Sequence, residues 1–287
     1  MVLVSCRPQE IPCKLVFSAL DSSIATDTEK SFAEAGFVVI SNAKNHRMDP
    51  DVPLVIPEVN MDHIALVQKQ PWAKNGGMIV TNPNCAVIGL ALALKPLELE
   101  FGVECAHVVT LQSTSGAGFP GVPSLSILDN VIPYIQDEEQ KLETELQKIF
   151  GMYKDSVIEP NLITISAQCT RIPITEGHME IVSVKLKEKV TLKEIKRAWK
   201  EFDPPVRELK LASSCAELLH YFEEDDFPQP KLHRYLEKGM GIALGRLQEC
   251  PVLGYKFVLL SNNMIRGAAG GSIQIAELLV KQGMVFW

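Results

Sequence analysis

Short apolar runs alternate with helical segments over the first hundred residues, and this alternation limits the folds that the chain can adopt. The runs with the length of buried strands are 14–20, 37–40, 53–57 and 78–81, and the helical segments are 22–35, 61–70 and 85–100. Asp21 or Ser22 can cap the first helix, and Gly36 can close it. Strands that alternate with helices pair in parallel through right-handed crossovers. The pattern therefore predicts an α/β fold with a doubly wound, Rossmann-like parallel sheet.

The pattern changes after residue 103, where strands follow one another with few helices between them. The predicted strands are 104–113, 163–170, 180–187, 209–211, 241–247 and 254–260, and the predicted helices are 138–150, 192–202 and 213–221. This arrangement indicates a second, α+β domain with a mainly antiparallel or mixed sheet, a kind of sheet that often buries one face in a dimer. A last helix at 272–282 is expected to return to the first domain, and the acidic, proline-containing stretch 225–230 is the most linker-like.

Composition and charge exclude several classes of function. The net charge is −7 and the chain has no block of Lys and Arg, so nucleic acid is not an expected partner. The longest apolar run, 86–94, is about half the length that a bilayer requires, and no signal segment opens the chain, so we expect a cytoplasmic protein. Seven scattered cysteines without a C-x-x-C pair argue against a disulfide framework or a structural zinc site and favour a reducing compartment.

The segment Thr81–Cys85 (TNPNC) lies directly after a predicted strand and directly before a predicted helix. Ligands bind at the carboxyl ends of strands in open α/β sheets. A cysteine in the first turn of a helix also faces free N–H groups and the positive end of the helix dipole, which favours the thiolate. We therefore interpret Cys85 as a candidate nucleophile. The alternative, a small buried hydrophobic residue, better describes the other cysteines at 6, 13, 105 and 215.

His178 is the candidate base for such a nucleophile. It follows Arg171 by seven residues in the segment RIPITEGH, between two predicted strands, where a tight turn would place the two side chains together. An imidazole titrates near neutrality and suits proton transfer, whereas the arginine fork suits a carboxylate or a phosphate. From the residues alone, a histidine in a surface turn without a catalytic role is an equally good interpretation of His178.

Other polar residues have weaker signals. Gln112 opens the stretch QSTSGAG, whose small residues let a ligand approach the backbone and whose amide can orient a reacting carbonyl; a flexible loop is an equal alternative. Glu138 and Lys141 lie three residues apart on a predicted helix, and Arg47 lies in a polar loop. By themselves these three residues indicate only a solvated pair and a surface arginine.

Seven ordered motifs resemble the aspartate-semialdehyde dehydrogenases, and among them the archaeal and fungal branch. The resemblance runs from about residue 4 to the C-terminus. The motifs are SNAKNHRMDPDVPLVIPEVN (41–60), TNPNC (81–85), TLQSTSGAGFPGV (110–122), ILDNVIPYIQDEEQKLETE (127–145), SAQCTRIPITEGH (166–178), GMGIALGR (239–246) and IRGAAGG (265–271). Their order and spacing carry the resemblance more than any single motif does.

The resemblance implies a role for each matched residue. Cys85 would form an acyl intermediate, His178 would be the general base, and Gln112 would orient the intermediate. The implied substrate contacts are Arg171 for a carboxylate, Glu138 for an amino group, and Lys141 and Arg47 for phosphate with Asn84 alongside. The implied cofactor contacts are Ser18, Ala19, Leu20, Asn42, Ser115, Gly116, Asn263 and Gly267. No metal site is implied.

The resemblance also implies a reaction and its partners. The expected activity is the NADP-dependent interconversion of L-aspartate 4-semialdehyde plus inorganic phosphate and L-4-aspartyl phosphate through a cysteine thioester, with NAD as an alternative cofactor. It would serve the biosynthesis of lysine, threonine and methionine, in a homodimer or homotetramer with no nucleic-acid or membrane partner. Residues 1–103, with a returning helix at 265–284, would form the dinucleotide-binding domain, and 104–264 the catalytic and dimerisation domain.

One feature of the family is missing. Such chains open with a G-x-x-G-x-x-G-like turn that holds the cofactor pyrophosphate at a helix N-terminus, and no such pattern occurs before residue 75. We therefore expect an N-terminally truncated, incomplete doubly wound sheet that lacks at least one β-α-β unit and has an unpaired strand edge and an uncovered apolar face. Two alternatives stay open: a catalytically silent, dimer-forming fragment that cannot hold the dinucleotide, and a related malonyl-CoA reductase.

Overall fold

The computed structural model describes residues 3–285. Its strands are β1 (Leu15–Ser18), β2 (Val38–Ser41), β3 (Met78–Thr81), β4 (Val103–Gln112), β5 (Met152–Lys154), β6 (Val157–Glu159), β7 (Thr164–Arg171), β8 (His178–Leu186), β9 (Leu219–Tyr221), β10 (Ile242–Cys250) and β11 (Gly254–Ser261). Its α-helices are α1 (Ser22–Glu34), α2 (Pro57–Asn60), α3 (Cys85–Phe101), α4 (Ser124–Ile127), α5 (Glu138–Ile149), α6 (Leu192–Glu201), α7 (Pro230–His233) and α8 (Gly270–Lys281). No helix in this range is long and apolar enough to span a membrane.

Strands β1, β2 and β3 form a parallel sheet in that order. Asp21 caps α1 by accepting the N–H of Ser23 at 2.9 Å, so the predicted helix start is confirmed. Between residues 3 and 285 β1 pairs only with β2, which leaves the strand edge that we expected. Phe17 on this edge is half exposed. Beside it lies a groove of about 210 Å³, lined in part by Val16 and Phe32.

Helices cover both faces of this sheet, because alternate residues of each strand point to opposite sides. Val39 and Ile79 pack with Phe32 of α1. Ile40 and Val80 pack on the other face with the apolar side of α8. Helices on two faces of a parallel sheet confirm the predicted doubly wound arrangement. The expected uncovered apolar face is reduced to the groove beside β1.

The second sheet is mixed, as predicted, and has the strand order β7-β4-β8-β11-β10-β9. Strand β4 pairs in parallel with β7 and antiparallel with β8, and β9 pairs in parallel with β10. Helix α3 lies on one face of this sheet and is buried along nearly its whole length. A helix that is apolar on all sides needs neighbours all round, and α5 and α6 flank it.

Gly89 brings α3 close to the second sheet. A Cβ at this position would lie 2.8 Å from Oγ of Ser261 at the end of β11 and 3.2 Å from Cδ1 of Leu259. Cys85 lies one turn earlier on the same side of the helix, since residues i and i+4 share a helix face. The close packing at Gly89 therefore places Cys85 over the edge of the sheet at which β11 ends.

Several predicted elements are wrong. The predicted strand at 53–57 forms a single parallel bridge, from Leu54 to Thr81, before α2 begins. The stretch 61–70 is a 3₁₀ helix, Met61–Lys69, and 209–211 contains the end of another, Pro205–Leu209, rather than a strand. The predicted helix at 213–221 is irregular up to β9, and the linker-like stretch 225–230 is a loop whose Asp225 accepts from Arg246 on β10 at 2.6 Å. The hairpin of β5 and β6 was not predicted.

A buried ion pair fixes the segment that precedes α8, where a π-helical turn spans Ile265–Ala269. Arg266 donates from Nη1 to Glu58 of α2 at 2.9 Å, and Gln274 donates to the same carboxylate at 2.7 Å. Burial raises the pKa of Glu58, but the charge of Arg266 and the hydrogen bonds from Arg266 and Gln274 together outweigh burial, so the net shift of the pKa is downward and the carboxylate is ionised. The pair holds in place the turn that carries Gly267.

Candidate active site

Four side chains stand in one row at an edge of the six-stranded sheet. Gln112 and Arg171 pair in register at the ends of the parallel strands β4 and β7. His178 begins β8 and pairs with Ser261 at the end of β11. The pairing of the residues next to them puts Gln112 level with His178. All four point to the face that α3 covers, since alternate residues of a strand share a face.

Arg171 and His178 are close, as predicted, but no tight turn joins them. Strand β4 lies between β7 and β8. The connecting segment therefore crosses the end of β4, where the N–H of Thr114 donates to the carbonyl of Ile174 at 2.7 Å. A Cβ on Gly116 would lie 2.8 Å from Nη1 of Arg171 and 3.0 Å from Cε1 of His178. Gly116 thus packs directly over both side chains.

Cys85 is the first residue of α3, and its Sγ lies 3.3 Å from Nε2 of His178. Asn84 caps the helix, because its Oδ1 accepts the N–H of Ala86 at 2.9 Å. Gly267 packs against the other side of the cysteine, where a Cβ would lie 2.6 Å from the Cβ of Cys85. The structure therefore brings the predicted nucleophile and the predicted base into contact.

Cys85 and His178 are both neutral at neutral pH, which corrects the thiolate that we expected from the helix terminus. Burial and the nearby carboxylate of Glu138 raise the pKa of Cys85 to about 12, against the opposing charges of three cations. Burial and the charge of Arg171 lower the pKa of His178 to about 3. A helix terminus contributes at most about 2 kcal/mol, whereas burial shifts a pKa by up to about 3–5 units. Desolvation therefore outweighs the dipole.

Glu138 at the start of α5 forms a cluster beside Cys85. Its carboxylate accepts the side-chain amide of Asn84 at 3.0 Å and that of Gln112 at 3.2 Å, and it pairs with the ammonium of Lys141. Burial raises the pKa of Glu138, but Lys141 and the two amides together lower it by more than burial raises it, so the net shift of the pKa is downward. The carboxylate is thus ionised and buried, and the solvated pair indicated by spacing alone is wrong.

Two further charges on the same face of α5, Glu145 and Lys148, were not predicted. Glu145 is 2% exposed and accepts Nη1 of Arg47 at 2.9 Å and the backbone N–H of Asn84 at 2.8 Å. Lys148 donates to three carbonyl oxygens of the loop 47–52, each at 2.7 Å, and burial lowers its pKa to about 8. These two side chains hold the Arg47 loop against the N-terminus of α3. The helical spacing 138, 141, 145, 148 is the signal that identifies them.

A cleft of about 450 Å³ opens beside Cys85. Seven of the eight predicted cofactor residues line it: Ala19, Leu20, Asn42, Ser115, Gly116, Asn263 and Gly267. Ser18 does not line this cleft, because its hydroxyl donates to the buried carboxylate of Glu29. Arg47 and Asn84 also line the cleft. Among the residues that the structure describes, no group of three or more His, Cys, Asp and Glu side chains is placed to hold a metal ion.

Comparison with known families assigns this architecture. Residues 94–266 match the family model described as the semialdehyde dehydrogenase dimerisation domain, and residues 1–67 match the semialdehyde dehydrogenase NAD binding domain. The chain belongs to the semialdehyde dehydrogenase family. The resemblance inferred from the seven motifs is thereby confirmed.

Individual members of the family are similar over nearly the whole chain. The aspartate-semialdehyde dehydrogenase of Archaeoglobus fulgidus is 45% identical over 99% of this chain and 81% of its own length. A crystal structure of aspartate semialdehyde dehydrogenase with NADP from Candida albicans has a TM-score of 0.91 at 39% identity and covers 99% of this chain and 83% of that one. Aspartate semialdehyde dehydrogenase II from Vibrio cholerae has a TM-score of 0.75 at 28% identity, with 93% and 79% covered. The archaeal and fungal proteins are the more similar ones, as the motifs predicted.

We expect alkylation of Cys85 by iodoacetamide to require strongly alkaline pH. Because the pKa of its thiol is raised to about 12, the rate should still be rising above about pH 9, with no plateau near neutrality. Mass spectrometry of the Cys85 peptide gives the rate. Cys250 is the internal comparator, because hydrogen bonds from backbone N–H groups lower its pKa. It should react faster than Cys85 at every pH below about 9. A rate at Cys85 that levels off below about pH 8 would contradict the neutral thiol.

Proposed function

We propose that this protein is an aspartate-semialdehyde dehydrogenase that uses NADP. It interconverts L-aspartate 4-semialdehyde plus inorganic phosphate and L-4-aspartyl phosphate, in the synthesis of lysine, threonine and methionine. The observation that carries the proposal is the 3.3 Å contact between Sγ of Cys85 and Nε2 of His178 at the edge of a cleft. The names of the archaeal and fungal relatives support this substrate.

The charges around the nucleophile fit a substrate with one carboxylate, one ammonium group and a phosphate. Arg171 donates from Nη1 to the carbonyl of Ser113 at 2.7 Å, and its other N–H groups suit a carboxylate. The ionised Glu138 suits the ammonium group. Arg47, whose buried Nε has no partner within residues 3–285, and Lys141 suit the phosphate.

The chemistry follows from these positions. The thiol of Cys85 adds to the aldehyde carbon, its proton passes to His178, and the amide of Gln112 orients the former carbonyl oxygen. The chemistry that NADP supplies when bound is acceptance of the hydride from this carbon, which leaves a thioester on the sulfur. Phosphate held by Arg47 and Lys141 attacks the thioester carbon, and the departing sulfur takes its proton back from His178.

Substrate binding makes His178 more basic. In the free protein the charge of Arg171 is one of the two causes, after burial, that lower the pKa of His178. A substrate carboxylate paired with Arg171 offsets that charge, so the imidazolium becomes less unfavourable and the pKa of His178 rises. His178 is therefore a stronger base in the filled site than in the empty one.

The cleft fits the nicotinamide end of NADP. Its wall has no side chain at Gly116 and Gly267, where a Cβ would lie 2.8 Å from Arg171 and 2.6 Å from Cys85. The two glycines therefore let this wall of the cleft pack directly against Cys85 and Arg171. Asn263 stands at the same wall and donates its amide to a serine hydroxyl at 2.9 Å, which fixes its orientation. The presence of NADP in the Candida albicans structure supports this cofactor.

The alternatives are not favoured. A catalytically silent fragment gives no reason for a cysteine and a histidine in contact beside four buried or half-buried charged side chains. A malonyl-CoA reductase binds a thioester that has no ammonium group, whereas the ionised Glu138 suits one. The seven cysteines are all free, which supports the reducing environment of the cytoplasm.

The face of the six-stranded sheet opposite α3 supports a homodimer. Its half-exposed apolar side chains are Val109, Leu111, Met179, Ile181 and Val258. A patch of this kind is stabilised when a second copy removes it from water. The family description of residues 94–266 as a dimerisation domain supports the same surface.

The reaction itself tests the proposed function. The protein should reduce NADP when it is given L-aspartate 4-semialdehyde and phosphate, as followed by NADPH absorbance. Cys85→Ala should lower the rate by about 10⁴-fold or more, because the nucleophile is lost. Cys105→Ala, which changes a cysteine of β4 outside the site, is the matched control and should keep the rate. Absence of turnover in the unaltered protein, or normal turnover in Cys85→Ala, would refute the assignment.

The dimer is tested by sedimentation equilibrium. The unaltered protein should have twice the mass of one chain, and Ile181→Arg should have the mass of one chain, because a buried guanidinium opposes association. Lys185→Gln, at an exposed position on the same strand, is the control and should stay dimeric. A monomeric unaltered protein, or a dimeric Ile181→Arg variant, would show that this face is not the interface.

A further inference from the structure

Ser113 contacts the second ring nitrogen of His178 in two ways. Its backbone N–H donates to Nδ1 at 3.2 Å, and its Oγ lies 3.2 Å from the same Nδ1. Ser113 is fully buried. In the described part of the chain, no other residue has a polar atom within hydrogen-bond distance of Nδ1. The roles proposed above make no use of the Ser113 side chain.

The backbone N–H of Ser113 selects one tautomer of His178 in the free protein. An N–H group cannot rotate away as a hydroxyl can, so it favours the tautomer in which Nδ1 accepts and the single proton of the neutral imidazole sits on Nε2. That proton points at Sγ of Cys85, 3.3 Å away. In this tautomer Nε2 cannot take a proton from the thiol, so His178 is not yet a base.

The hydroxyl of Ser113 is arranged to support the other tautomer. Its hydrogen is directed to Oδ1 of Asn263 at 3.1 Å. The amide of Asn263 is held in this orientation, because Oδ1 also accepts the N–H of Gly177 at 2.9 Å and Nδ2 donates to Ser115 at 2.9 Å. The oxygen of Ser113 therefore offers only lone pairs to His178 and can accept a proton carried on Nδ1.

We propose that Ser113 is a positioning residue that controls when His178 is a base. Its N–H holds the free protein in the tautomer protonated on Nε2. In the other tautomer the proton sits on Nδ1, where the Ser113 oxygen accepts it, and the bare Nε2 can take the thiol proton of Cys85. The charged and titratable groups that face His178 are Cys85 on α3, Arg171 on β7 and Glu138 on α5. The catalytic part of this inference rests on the proposed function.

The tautomer is tested without turnover. In ¹⁵N-histidine NMR of the free protein at about pH 7, His178 should show a protonated Nε2 and a bare Nδ1. Its signals are assigned by their loss in His178→Gln. Signals of the reverse tautomer, or of the imidazolium, would overturn the selection by Ser113.

The role of the hydroxyl is tested by Ser113→Ala, which keeps the backbone N–H and removes the acceptor. We expect kcat to fall about 10- to 100-fold with both KM values within about twofold. The acid limb of the kcat–pH profile should move to lower pH, because an imidazolium without an acceptor on Nδ1 has a lower pKa. Ser113→Thr keeps the hydroxyl and should recover most of the loss. Thr114→Val removes the neighbouring hydroxyl, which bonds to Ile174 instead, and is the control.

Two results would overturn the role of the hydroxyl: an unchanged kcat and pH profile in Ser113→Ala, or an equal loss in Thr114→Val. The second result would mean that any disturbance of this loop lowers activity. Failure of the proposed function is a separate outcome. The unaltered protein would then show no turnover, whereas the NMR measurement would still report the tautomer of His178.

Discussion

Two carboxylates of α5 hold the N-terminus of α3, and the position of Cys85, the proposed nucleophile, depends on this contact. Glu145 accepts the backbone N–H of Asn84, and Glu138 accepts its side-chain amide. Asn84 in turn caps the helix that begins with Cys85. One turn further along, Gly89 lets the helix lie close to β11. The sulfur of Cys85 is thus held between α5, which carries the two carboxylates, and the sheet edge, which carries the imidazole of His178.

Burial keeps Cys85 and His178 neutral in the empty site, and the basicity of His178 depends on the charges that bound ligands bring. Two of its cations are already paired, Arg47 with Glu145 and Lys141 with Glu138. Burial raises the pKa of Cys85 to about 12 and lowers that of His178, on which Arg171 acts in the same direction, to about 3. A substrate carboxylate and a phosphate add the negative charge that these cations can accept. Pairing of a substrate carboxylate with Arg171 offsets a charge that lowers the pKa of His178, so the imidazole becomes a stronger base when the substrate is present.

Local signals predicted β1, α1, β2, β3 and α3 in the first hundred residues, because each of these elements is decided by its own apolar run and cap, whereas the predicted strand at 53–57 and helix at 61–70 were wrong. Strand β3 coincides with the predicted 78–81, and α3 extends the predicted helix by one residue. Strand β9 was predicted as part of a helix, since its pairing with β10 is not local. The side-chain row of Gln112, Arg171 and His178 depends on the register of three strands. Residue chemistry alone could not align all three: the sequence paired His178 with Arg171 through a tight turn that the structure does not have, and Gln112 was added by the family resemblance. Glu145 was missed because a glutamate on an amphipathic helix is normally solvated.

The central claim is that the sulfur of Cys85 carries the acyl group. The most direct measurement mixes the protein with L-aspartate 4-semialdehyde and NADP in the absence of phosphate. We expect a single burst of NADPH, close to one per chain, and one aspartyl group on the Cys85 peptide by mass spectrometry, which added phosphate then releases as aspartyl phosphate. An aspartyl group on a different peptide, or a burst of NADPH that leaves the protein unmodified, would contradict it.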